Sequence, residues 1–455
     1  MPRRPSRVIV LGALVLGLLA LATRAAPSPV DGEVTALADH ELDGLVGYYK
    51  ALHATPELSR QEEHTAADLA RELRAAGFEV TEHVGRYTLP GYKGTGVVAV
   101  LRNGAGPTLL IRADMDALPI EEQTGLPYAS HRRMKNEAGV EMPVMHACGH
   151  DVHVTSLVGT ARVLSKLRSR WHGTLILLGQ PAEETIDGAL AVVRDGLYER
   201  FPRPDLVLAL HDSPFLPAGA VGVTPGYAMA TSTQMDVVVR GVGGHGSRPE
   251  DVKDPIVLAA NIVMQLQTIV SREISPFDQA VVTVGTIHGG TRRNIIPNDV
   301  KLELNIRAYK PEVREHIIQA VARISRAAAL GAGMPEDRLP LVSVLEGEFA
   351  PALYNEPATV ARVRGAFERV LGAENVHSVD PVMASEDFGY LGVDGKIPVM
   401  MFALGANSQE LIDEAQRTGV PVHGLHTSRF EPIPAPTLRT GVVAMSTAIL
   451  EILGN

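Results

Sequence analysis

The chain of 455 residues contains one cysteine, Cys148, and one tryptophan, and aromatic residues make up only 4% of it. A lone cysteine excludes an internal disulfide, so the thiol is free, paired between chains, or bound to something. Basic residues are also the scarcer sign, 42 against 52 acidic with a formal net charge of −10, which argues against nucleic acid as a partner. Long apolar runs are missing, with one exception. Val8–Ala22 follows Arg3, Arg4 and Arg7 and leads to small residues around Ala25. It falls short of the roughly 20 apolar residues that span a bilayer and fits the apolar region of an export signal over 1–25, cleaved near Ala25. An uncleaved anchor is the alternative. Cleavage predicts a periplasmic or secreted protein with no membrane span.

What is present is enough apolar material, 45% of residues, to fill proper cores, and enough length for more than one compact unit. Short apolar runs beginning at Val97, Thr108, Thr174, Leu206 and Ile397 alternate with helical spacings over Val152–Leu167, Ile186–Val193, Ala358–Leu371 and Thr437–Ile452. Near-continuous apolar strands alternating with helices predict an α/β fold, a doubly wound and mostly parallel sheet covered on both faces. Between about 230 and 347 the pattern changes. "TQMDVVVRG" and "KLELNIRAY" alternate apolar and polar residues, as strands with one wet face do. This predicts an inserted α+β module dividing the main domain into 26–229 and 348–455.

The stretch "MHACGHDVHVT" at 145–155 concentrates three histidines, an aspartate and the single cysteine. In open α/β sheets, sites form beyond the carboxyl ends of strands. Asp114 and Asp116 follow one expected strand, Glu183 and Glu184 another, and His211 a third, while Cys148 and His150 sit just ahead of the helix expected near Val152. Individually these residues have plain readings: Asp151 as a helix cap, His153 as a hydrogen-bonded support, Glu183–Glu184 as a solvated pair. Together, thiolate, imidazole and carboxylate are the donor set of zinc and related divalent ions. The "GVGGHG" at 241–246 satisfies G-x-G-x-x-G, but Pro249 and Pro255 delay the next helix, so a dinucleotide site is not expected there.

The blocks "IRADMDALPIEEQTGLPYAS", "MHACGHDVH", "GQPAEE", "GGHGSRP", "NIIP", "ASEDFGYL" and "LHTSRFEP" together resemble the metal-dependent amidohydrolase branch of the aminoacylase/carboxypeptidase family, which includes hippurate hydrolases and hydrolases of indole-acetyl amino acid conjugates. The resemblance implies two divalent ions, manganese or zinc, held by Cys148, His150, Glu184, His211 and His426. It implies Glu183 as general base and the inserted module as a lid and dimerisation surface, so a homodimer. His245 is similar to the family's lid histidine that reaches a catalytic centre. Asp116 would orient a ligand histidine, and Asn294 and Arg307 are the lid candidates for a substrate carboxylate, with solvent exposure the alternative for Arg307. Glu250 and Thr185 depart from the family's usual residues at their positions. The function so implied is hydrolysis of N-acyl or N-aroyl amino acids. The nearest alternative is carboxypeptidase or dipeptidase action on short peptides, and the remote one a non-catalytic metal- or peptide-binding protein. If Glu183 and Glu184 lie in an extended segment, their side chains point to opposite sides, which would separate base from ligand.

Overall fold

The computed structural model describes residues 29–393 and 395–454; the segment expected to be an export signal lies outside the described residues. The apolar runs become strands β1 (Glu79–Val84), β2 (Gly96–Asn103), β3 (Thr108–Asp114), β4 (Gly173–Gln180), β5 (Leu206–Pro217) and β6 (Gly226–Met229). The chain then builds a second sheet from β7 (Ser232–Arg240), β8 (Ala280–Gly289), β9 (Asp299–Ala308) and β10 (Leu341–Ala350), and returns through β11 (Leu353–Asn355) and β12 (Val399–Asn407). The large sheet runs β1-β2-β4-β3-β5-β12-β11-β6. Its middle pairings are parallel and those towards its two ends antiparallel.

Burial explains the two sequence patterns. Almost every residue of β3 is buried because helices cover both faces of the sheet. Helices α1 (Pro29–Ala54), α2 (Glu63–Ala75) and α3 (His150–Lys166) pack against one face, where Leu45, Leu69, Val158 and Leu164 join Leu109 and Ile111 in the main core. On the other face, α4 (Gly188–Arg194) and the turn Asp387–Gly392 cover Leu110, Ile176 and Val207. Each such aliphatic side chain contributes about 1.5–3 kcal/mol when fully buried. In the second sheet only one face is covered. There β9 alternates buried and half-exposed residues along its length, and α5 (Pro255–Thr268) and α6 (Pro311–Gly331) close a separate core around Leu258, Ile262, Ile317 and Val321.

The topology places the site. From β3 the chain passes through α3 to β4 on one side of β3, then through α4 to β5 on the other, so the winding reverses at β3. A crevice opens at the carboxyl ends of strands at such a reversal. Asp114 pairs in register with Gln180, and His211 on β5 lies opposite Ala403, bringing the three loops to one edge.

Candidate metal centre

Helix α3 begins at His150, two residues earlier than its sequence spacing suggests, so this histidine is the first helical residue and not part of a loop. Gly149 precedes it at φ +75°, where a Cβ would fall 2.4 Å from the Asp212 carboxylate. Only glycine allows that approach. The Cys148 Sγ lies 3.6 Å from His211 Nε2 and 3.2 Å from His426 Nε2. His426 has a left-handed backbone, φ 62°, uncommon for a residue with a Cβ. Its N–H donates to the Ala147 carbonyl at 2.8 Å, which joins the late loop to the cysteine loop.

Glu183 and Glu184 lie in a turn after β4, not in an extended segment. Asp116 organises that turn: its carboxylate accepts the N–H of Glu183 at 3.1 Å and of Glu184 at 3.0 Å, and the Ser59 hydroxyl at 2.6 Å. Both glutamates consequently face the same way, with Glu183 Oε2 3.9 Å and Glu184 Oε1 4.0 Å from His150 Nε2. The expectation that they point to opposite sides fails, because a turn does not alternate its side chains as a strand does. Asp116 also meets the other ring nitrogen of His150. Nδ1 lies 2.8 Å from its carbonyl and 3.3 Å from its carboxylate, which leaves Nε2 directed at the cluster.

Cys148, His150 and His211 offer donor atoms within 4.8 Å of one another; so do Cys148, Glu184 and His426, and His150, Glu183 and Glu184. These overlapping groups suit a pair of cations better than one. The fit is supported by unmet polar atoms: His150 Nε2 and Glu184 Oε1 are buried with no hydrogen-bond partner among the described residues. A buried polar atom left this way costs about 1–3 kcal/mol, a penalty that coordination removes. Thiol, imidazole and carboxylate together match the donor chemistry of borderline divalent metals.

Electrostatics point the same way. Burial, then the nearby Glu386 and Glu184 carboxylates, push Glu183 well above the usual carboxyl range. Burial raises Glu184 to about 7, against the pull of His150 and with help from Asp116 and Asp114. Burial followed by Glu184 pushes the Cys148 thiol well up, while burial and neighbouring histidines pull His211 and His426 down. Too many acids share this pocket for all to ionise without an added cation.

Several supporting residues were not legible as such from local pattern. Arg112, fully buried in β3, reaches Asp114 at 2.6 Å, Glu386 at 2.7 Å and Gln180 at 2.8 Å. A single arginine inside an apolar strand was its only signal. His153 bridges Asp114 and Asp212 beneath the site. Asp151 does serve the start of α3, its Oδ1 accepting the Val152 N–H at 2.9 Å, while its Oδ2 meets His53 at 2.7 Å, and His53 meets Glu122 at 3.1 Å on its other side.

The lid residues stand apart from this cluster. His245 is exposed on a short ribbon opposite Ile295, its Nδ1 accepting from the Ser247 hydroxyl at 2.7 Å. Asn294, also exposed, precedes that partner strand. Arg307 is half-buried instead of freely solvated. Its guanidinium donates to Asn305 Oδ1 at 2.9 Å and, across to the main domain, to the Met383 carbonyl at 2.8 Å. No carboxylate among the described residues pairs with it, and burial lowers its pKa.

A model of peptidase family M20/M25/M40 matches residues 110–418. The chain is 36% identical over 353 residues to the N-acetyl-L-cysteine deacetylase of Bacillus subtilis, covering 76% of this chain and 77% of that one. It is 36% identical over 341 residues to the hippurate hydrolase of Campylobacter jejuni, covering 74% and 82%. In fold it is similar to a Bacillus subtilis protein described as a dinuclear metal binding peptidase of this family, with TM-score 0.72, 27% identity and coverage of 91% and 99%. From the matched sequence, the shared architecture and the donor cluster at the sheet's edge, the chain belongs to peptidase family M20/M25/M40 and is a metal-dependent amidohydrolase.

Proposed function

We propose that this protein hydrolyses the amide bond of N-acyl or N-aroyl amino acids, releasing a carboxylic acid and an amino acid. The observation that carries the reading is the placement of Glu183 beside a five-donor cluster of Cys148, His150, Glu184, His211 and His426. Two divalent cations held there, manganese or zinc by donor chemistry, supply Lewis-acid polarisation of the amide carbonyl and make water a better nucleophile near neutral pH. Glu183, whose proton affinity is raised by burial and then by its acidic neighbours, accepts a proton from the attacking water and delivers it to the departing amine nitrogen. Such a shuttle is worth about 10²–10⁴ in rate. Asp116 holds the His150 ring and the Glu183–Glu184 turn in one arrangement. Arg307, lacking a carboxylate partner among the described residues, is available for the α-carboxylate of the substrate, with Asn294 as a second donor.

The lid supports a homodimer in this reading. Strand β8 is an edge of its sheet, with Val281 38% and Ile287 53% exposed, and Val257 and Met264 on α5 are 66% and 71% exposed. A second copy would cover this apolar face and carry His245 and Asn294 over a catalytic centre, where the imidazole stabilises charge on the carbonyl oxygen. The segment 1–25 is part of the proposal as a signal removed on export, checked by the mass of the mature protein. Relatives named as deacetylases and as hippurate hydrolase favour acyl amino acids over peptides. The test is hydrolysis of N-acetyl, N-benzoyl and dipeptide substrates with and without chelator, and of the His245→Ala variant. Chelator-sensitive cleavage of the acyl amino acids, and a dimeric His245→Ala variant that keeps metal but loses most turnover, are expected. Cleavage of dipeptides alone would move the assignment to a dipeptidase; a fully active monomer would remove the lid's proposed part.

A further inference from the structure

The ribbon that carries His245 also carries two arginines that the reading above does not use. Arg292 and Arg293 follow Gly290, which turns at φ +82°, and immediately precede Asn294. Ile295 and Ile296 then pair with His245 and Gly244, so arginines, amide and imidazole are carried by one short ribbon. Both arginines are exposed, and neither forms an ion pair or side-chain hydrogen bond with any described residue. They border an open cleft of about 390 Å³ whose other walls include Gly246, Thr291 and Ile296. The single acid lining it, Asp254, is engaged: its Oδ1 accepts the Ile256 N–H at 2.8 Å at the start of α5. The cleft therefore offers two unneutralised guanidinium groups in a protein of net charge −10. Guanidinium forks match carboxylate geometry, and unpaired ones at a concave surface favour an anion.

We propose that Arg292 and Arg293 select substrates bearing a second carboxylate, in addition to the α-carboxylate assigned to Arg307. This rests on the acyl amino acid reading, because the arginines reach substrate only where His245 and Asn294 do. The preferred substrate is then dianionic: an acidic amino acid acylated on nitrogen, or an amino acid carrying a dicarboxylic acyl group.

The experiment compares kcat/KM for two matched pairs, N-acetylglutamate with N-acetylglutamine and N-succinylalanine with its terminal amide. Wild-type protein should favour the acid in at least one pair. In R292Q/R293Q that acid-to-amide ratio should fall about fivefold to tenfold, and R292K/R293K should retain much of it because the charge remains. Raising ionic strength should compress the wild-type ratio as well. A ratio unaffected by R292Q/R293Q in both pairs, or a wild type with no preference, would leave these as solvated surface arginines and overturn the proposal. If no substrate in the panel is cleaved, the hydrolase reading fails separately. The arginine site is then decided by calorimetric binding of glutarate to wild type and R292Q/R293Q, equal binding overturning it.

Discussion

The Sγ of Cys148 and the Nε2 of His426 stand 3.2 Å apart although 278 residues separate them in the chain. The thiol has no covalent partner, and burial with Glu184 close by raises its pKa well above its ordinary value. Both facts suit a ligand that loses its proton only when a cation arrives. Cys148→Ser should therefore weaken metal binding by about 100-fold or more while leaving the protein folded. In stripped wild-type protein, metal affinity should rise with pH as the thiol's proton becomes easier to release. Unchanged metal content in the serine variant would return Cys148 to the role of an inert buried thiol.

Glu183 and Glu184 share one turn but have different tasks in the proposed hydrolysis. Glu183→Gln preserves shape and removes the proton acceptor, so kcat should fall about 10²-fold or more with near-normal metal content. Glu184→Gln should lose metal first, since its Oε1 is buried with no hydrogen-bond partner among the described residues. Metal analysis alongside steady-state kinetics separates the two, and wild-type turnover by Glu183→Gln would show that another group takes the proton.

Gly149 tests how tightly the cysteine loop is built. A β-carbon there incurs the cost of a left-handed backbone, about 1–2 kcal/mol, and meets the Asp212 carboxylate, which is itself tied to His153 at 2.9 Å. Gly149→Ala should lower the urea midpoint and reduce metal affinity together. If both are unchanged, the loop is more tolerant than its geometry implies.

His53 gives a pH signature remote from the chemistry. Burial alone would depress it, but hydrogen bonds to Asp151 and Glu122 and their charges lift it to about 10. The folded value exceeds the ordinary value of about 6.5, so this stabilisation is fully present below about pH 6.5 and fades as pH rises through 10. His53→Gln should cost about 3 kcal/mol near neutral pH, since it leaves two buried carboxylates without their cation. Its stability should also decline less between pH 7 and 10 than that of wild type. Parallel unfolding curves across that range would mean His53 is neutral in the folded protein.

The sequence by itself determined the alternation of buried strands and helices, because a strand covered on both faces must be apolar throughout, as "TLLIRA" is. It also marked the lid module, whose strands alternate because one face stays wet. Chemistry-bearing residues were legible where they follow strand ends, Asp116, Glu183 and Glu184, whereas His211, expected just past a strand, lies within β5, which runs on to Pro217. The partners of Arg112, the clamp on His53 and the need for glycine at 149 were not legible, since each depends on segments distant in the chain. The shared direction of Glu183 and Glu184 was misread because the turn that sets it is held by Asp116, 67 residues earlier. Local spacing encodes which face of an element is buried. Which loops meet at the end of a sheet is decided by strand order, and strand order is settled only when the whole core packs.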